Sequence, residues 1–282
     1  MAGLESFSLY GSLVSVALAI EFATFNFLGA RRSVSASKEK RAKASTRNIT
    51  KILATLFSTL VLVFLTVVII ARWTETGHGP FSNMYEFAVA FAWGTMVMGL
   101  FFQKRYKTEA FRNVGLFIAL WLLIFATVKY AQPEPLVPAL QQSLLLSVHV
   151  ASAVFAYGTL TIGFGAAVLF LIQHKRNSIL LPATEVLETV SYQSVVIGFP
   201  FLTALIILGA LWADIAWGRY WAWDPKETAS LVTWLLYAAY LHARLVRGWR
   251  GTRTAVLLII GFAAILLTFF GNYVFSGLHA YG

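Results

Sequence analysis

The chain has 282 residues, 59% hydrophobic and only 12% charged, with a formal net charge of +10 and no cysteine. Such a composition excludes a soluble globule, in which about 25% of residues are charged, and the missing cysteines exclude thiol–disulfide chemistry by the chain itself. The positive charge sits in short connectors between apolar runs, which excludes nucleic acid and points to a lipid bilayer.

In chain order, eight apolar runs stand out, at 8–28, 50–71, 84–102, 111–129, 143–173, 192–212, 227–246 and 254–275. A bilayer core of ~30 Å needs about 20 apolar residues at the helical rise, so each run reads as a spanning segment. The expected fold is an all-α integral membrane protein of about eight transmembrane helices, one transmembrane domain over 1–282. The first run has no basic stretch ahead of it and is followed by Arg31 and Arg32, so it reads as an anchor and not as a cleaved signal peptide. The stretch 31–51 reads as a basic loop, and 177–191 as a short interfacial amphipathic helix.

Charge sets the expected orientation. Alternate connectors (31–51, 104–112, 175–176 and 244–253) hold 18 of the 22 lysines and arginines, leaving Arg72, Lys129, Arg219 and Lys226 for the other side. By the positive-inside rule both termini face away from the cytoplasm. The segments 76–86, 130–142 and 217–227 and the C-terminus then converge on the outer side.

Two outer segments carry helix-start signals. Asp224-Pro225-Lys226-Glu227 has an N-cap, a proline at N1 and a glutamate at N3, and Asn83 and Glu86 share the same spacing. Capping leaves Trp217, Trp221 and Trp223 unexplained. Three tryptophans in one short connector, with Trp212 before it and Trp234 after it, exceed an interfacial belt and suit stacking on a flat apolar ligand. Arg219 and Lys226 are placed to pair with carboxylates on such a ligand.

The five histidines differ in position. His174, beside Lys175 and Arg176, reads as an interfacial residue, and His78 lies in a Gly-Pro loop either as a turn partner or near a ligand. His149 lies inside the fifth run, with small neighbours Ser152, Ala153 and Ala156. Intramembrane ionisable groups usually face the bundle interior and mark function, although small residues also serve plain helix packing. His279 follows the eighth run in Ser276-Gly-Leu-His279-Ala-Tyr, at the same expected depth as His149. Together they can supply two axial nitrogens to one metal centre. His242 lies sixteen residues beyond Lys226, ~24 Å along the helix, beside Ala238 and Ala239. It is either an interfacial histidine or a ligand whose opposite number comes from another subunit.

A planar aromatic body, iron taking two imidazoles and acidic side groups together describe haem. The string Trp217-Gly-x-x-Trp221-x-Trp223-Asp224-x-Lys226-Glu227 resembles the tryptophan-rich WWD signature, here within 212–227, of haem-handling proteins of cytochrome c maturation. Gly77-His78-x-Pro80-x-Ser82-Asn83-x-Tyr85-Glu86, Leu140-Gln141-x-Ser143…His149-Val150 and Gly277-Leu278-His279-x-Tyr281-Gly282 resemble its CcsA (ResC) branch. The resemblance covers nearly all of the chain from residue 72 onward.

It implies the membrane subunit of a System II cytochrome c synthase, which moves haem b across the membrane and presents it to apocytochrome c for attachment at reduced Cys-x-x-Cys-His. His149 and His279 match its external haem ligands, His242 its intramembrane ligand, and Trp217, Trp221, Trp223 and Asp224 its platform. A CcsB (ResB) partner is implied, in a bacterial inner membrane or a thylakoid. A haem transporter without synthase activity is the alternative. A di-haem cytochrome b would need more histidine pairs inside the helices.

Overall fold

The computed structural model describes residues 2–35, 40–79, 82–132 and 143–274. Among them are eight α-helices and no strand: α1 (Ala2–Ser35), α2 (Lys40–Thr76), α3 (Met84–Tyr106), α4 (Ala110–Val128), α5 (Ser143–Arg176), α6 (Thr184–Trp217), α7 (Pro225–Leu245) and α8 (Thr252–Val274). Helices dominate because each backbone N–H and C=O in a bilayer must be satisfied within its own segment.

Seven of the eight are long and apolar enough to cross a membrane. The exception is α7, diluted by Lys226, Glu227, Thr228, Ser230, Thr233, His242 and Arg244. The chain is a multi-pass, all-helical membrane protein.

Two expectations need correcting. The stretch 31–51 is not a loop: α1 continues to Ser35 and α2 already begins at Lys40. Its lysines, arginines and alanines are good helix formers, and charge does not break a helix that has left the apolar layer. Nor is 177–191 a separate helix, since α6 begins at Thr184 with Ala183 as its N-cap.

Two hydrophobic cores share α3. One joins α3 with α5, α6, α7 and α8, around residues such as Tyr157, Leu160, Leu202 and Leu258. The other joins α3 with α1, α2 and α4, around Val16, Leu65, Met96 and Leu116. Backbones touch where α3 crosses α5. A Cβ on Gly158 would lie 2.7 Å from the Gly94 carbonyl carbon, and one on Gly94 would lie 2.8 Å from the Val154 oxygen. Close crossings at small residues hold membrane helices together by van der Waals packing, because lipid provides no hydrophobic contrast.

The two ends of the bundle differ. At the arginine-rich end Arg244 pairs with Glu188, which also accepts from the Gly251 amide at 3.2 Å. There Glu109 accepts from Asn26 and pairs with Lys51, tying α1, α2 and α4. The opposite end carries 77–79, 82–86, 130–132 and the tryptophan-rich connector, and a cavity opens there.

Candidate functional site

The connector is set by its own backbone chemistry. At the end of α6, Gly218 takes the left-handed conformation (φ 71°) and its amide bonds back to the Asp214 carbonyl, stopping the helix. Asp224 and Glu227 form the capping box read from the sequence. An Asp224 carboxylate oxygen accepts from the Lys226 amide at 2.9 Å, and Glu227 Oε2 accepts from the amides of Ala222 and Asp224. The connector is therefore pinned to the first turn of α7. Trp223, between the two caps, is held at φ 57°, a conformation costly for a bulky residue.

Between this connector and α3, α5, α6 and α8 lies a cavity of about 1230 Å3, counting its open mouth. Ser82, Asn83 and Met84 line it from the start of α3, and Tyr220 and Trp221 from the connector. His149 and Tyr157 both line it, eight residues apart on α5, so the slot runs at least ~12 Å along that helix. Phe87, Phe91 and Trp212 give the walls aromatic faces. Lys226 lies over the Phe87 ring, its ammonium 5.6 Å from the centroid.

His149 is held in one orientation. Its Nδ1 is 2.9 Å from the main-chain oxygen of Leu205 on α6. A carbonyl only accepts, so Nδ1 carries a proton, and in the neutral ring Nε2 is the nitrogen able to bind a metal. Gly209, one turn further along α6, makes room for the ring. A Cβ there would sit 2.8 Å from His149 Cε1.

The other predicted residues are distributed differently. Trp221 lines the cavity, whereas Trp217 packs edge-on against the buried Trp212, centroids 4.8 Å apart. Trp223 is 70% exposed, and its ring meets Trp221 edge-to-face at 5.8 Å. Asp224 is buried in its cap. His242 is exposed on α7 near the arginine-rich end, away from the cavity. His279 lies outside the described residues, which contain no cluster of three or more His, Asp or Glu able to hold a metal ion.

His78 is buried, with Nδ1 2.8 Å from the Gly79 oxygen, and His174 stacks on Phe170 at the far end of α5. Sequence reasoning missed Tyr157, Gly209, Phe87 and Thr268 as lining or shaping residues. Only the helical spacing of Tyr157 from His149 hinted at any of them.

Lys226 is the one lysine among the cavity-lining residues. It precedes the apolar run 227–246, and burial pushes its ammonium down to about 8. The lining thus offers an imidazole, flat aromatic faces and one readily neutralised cation. It fits a large planar ligand with a coordinating centre and an acidic edge.

Comparison with known proteins gives the chain a family. Residues 81–279 match the family model described as cytochrome C assembly protein. The chain is 37% identical over 253 residues to the cytochrome c biogenesis protein CcsA of Guillardia theta, covering 79% of this chain and 83% of that one. It is 36% identical over 284 residues to the protein of that name from Prochlorococcus marinus strain MIT 9301, covering 89% and 88%. A solved structure of the cytochrome c heme lyase CcmF superposes with a TM-score of 0.64 at 19% identity, over 95% of this chain and 46% of that one, and so shares the fold. The chain belongs to the cytochrome c assembly protein family, among its CcsA members.

Proposed function

We propose that this chain, acting in cytochrome c biogenesis, holds haem b in the cavity between α5, α6 and the tryptophan-rich connector. It presents that haem to apocytochrome c. The observation that carries this reading is His149, oriented through Nδ1 by the Leu205 carbonyl and lining the same cavity as Trp221 and Lys226. His149 supplies one axial nitrogen, and His279 the second, from the segment after α8. Trp221 and Trp212 cover one face of the macrocycle, and Lys226 pairs with a propionate.

The cavity end of the bundle faces the non-cytoplasmic side of a bacterial inner membrane or thylakoid, a reading the charge distribution supports. His242 is exposed on α7, so a haem ligated there takes its other ligand from a second subunit of the CcsB (ResB) type. Residues 1–282 act as one transmembrane domain.

Attachment itself is positional. Each thiol of the reduced Cys-x-x-Cys-His segment adds its sulfur to one vinyl carbon and its hydrogen to the other, a balanced addition needing no oxidant. Holding vinyl edge and peptide together raises their effective concentration. The histidine of the segment then replaces one axial ligand, releasing the product.

The test is coexpression with the partner subunit and an apocytochrome. His149→Ala and His279→Ala each lower matured cytochrome at least about tenfold if both ligate the haem. Wild-type maturation in either variant removes that residue from the site.

A further inference from the structure

At the cavity end of the bundle, α1 and α2, which precede the matched residues 81–279, reach α3 through ionised side chains. Arg72 on α2 is 1% exposed, Glu5 on α1 is fully buried and Glu86 on α3 is 2% exposed. Arg72 Nε donates to Glu86 Oε1 at 2.9 Å, Nη1 to Glu5 Oε1 at 3.4 Å, and Nη2 to the Ala131 carbonyl at 2.7 Å. Tyr85 donates its hydroxyl to Glu5 Oε1 at 2.8 Å. Glu5 Oε2 has no hydrogen-bond partner among the described residues.

This cluster is a poor stability device. Desolvating three charged groups is expensive, and well-packed apolar residues of similar volume often do as well or better. What the guanidinium fork achieves is one fixed arrangement of four segments at once. Its consequence appears at the cavity. Glu86 Oε2 accepts from the Ser82 amide at 2.7 Å and from the Ser82 hydroxyl at 2.8 Å. Glu86 thereby draws Ser82 towards α3, while Asn83 caps the helix through the Glu86 amide at 3.0 Å. Ser82, Asn83, Met84 and Phe87 form the α3 side of the cavity, and Phe87 carries Lys226.

We propose that Arg72, through Glu86 and Ser82, is the positioning residue that sets the α3 wall of the ligand cavity. The α1–α2 pair thus acts on a site it does not line. The inference rests on the reading of that cavity as the haem site.

The chain has no native cysteine, so Met84→Cys is a clean reporter of the wall. Its labelling by a water-soluble maleimide, and haem uptake and absorption, are compared in the complex with the partner subunit. The backgrounds are wild type, Ser82→Ala, Arg72→Lys and the apolar triple variant Glu5→Leu/Arg72→Met/Glu86→Leu. The triple variant labels at least about tenfold faster, the size expected from losing a charge-assisted hydrogen bond, and its haem dissociates faster with a broadened main absorption band. Arg72→Lys shows smaller effects than the triple variant, and Ser82→Ala, which loses the hydroxyl bond and keeps the amide one, shows smaller effects of the same sign with an unchanged melting temperature. Wild-type labelling and spectra in the triple variant overturn the proposal. If the triple variant does not fold, wild-type behaviour of Ser82→Ala overturns it. A labelling change in a complex that takes up no haem refutes the haem reading and leaves the wall assignment standing.

Discussion

The Nδ1 of His149 on α5 donates to the main-chain oxygen of Leu205 on α6 at 2.9 Å, so one helix fixes the tautomer of a ring borne by its neighbour. The acceptor is a backbone atom and cannot be removed by substitution. The space beside the ring can. A methyl at Gly209 would stand 2.8 Å from His149 Cε1 and force the imidazole to rotate. Gly209→Ala is expected to weaken haem binding by about tenfold, the cost of a misplaced ligand. A titration of haem followed by absorption spectroscopy measures it.

The connector tryptophans are expected to separate. Trp221 lines the cavity, and losing its stacking face to alanine weakens haem binding by about five- to tenfold. Trp223 projects outward in a left-handed conformation. Trp223→Gly relieves about 1 kcal/mol of backbone strain and raises the thermal midpoint in detergent, with haem affinity falling less than for Trp221→Ala. Equal haem losses for the two substitutions would contradict this division.

Haem binding is expected to weaken above about pH 8. Lys226 is held down to about 8 by burial, so it is charged below that pH and loses its proton above it. A carboxylate bound beside it favours the charged form and raises the value. Affinity is therefore flat on the acid side of about 8 and declines as the pH rises through it. Lys226→Met binds more weakly on the acid side, where the wild-type lysine is charged, and removes the pH dependence. Equilibrium titrations between pH 6 and 10, roughly spanning the free and ordinary lysine values, check the sign.

Asp224 is expected to matter first for stability. It caps α7 from a buried position, and Asp224→Ala costs about 1 kcal/mol by loss of the cap. Glu227→Gln keeps an acceptor for the amides of Ala222 and Asp224 and costs less. Equilibrium unfolding in detergent distinguishes the two.

Much of this was legible in the sequence because its physics is local. Apolar runs of membrane length located the helices, and the three-residue spacings from Asn83 and Asp224 located two helix starts. Both N-caps accept from the amides of the following turn. Glu86 departs from the pattern, reaching Ser82 in place of the cap residue, because Arg72 holds its other oxygen. That bond joins α2 to α3, and no spacing rule encodes it. The fit of Gly209 to His149 joins residues sixty positions apart and was equally invisible. The outward turn of Trp223 depends on a backbone conformation its residue type disfavours. The basic stretch 31–51 looks like a loop by its charge, yet charge and helix are compatible outside the apolar layer.

The central claim is that His149 binds haem iron in this cavity, and ligand replacement tests it most directly. The variant His149→Gly, purified with its partner subunit, is titrated with haem in the presence and absence of free imidazole and followed by absorption spectroscopy. The account predicts loss of the six-coordinate spectrum in the variant and its recovery on adding imidazole, which fills the space left by the side chain. A wild-type spectrum in the variant without imidazole would contradict it.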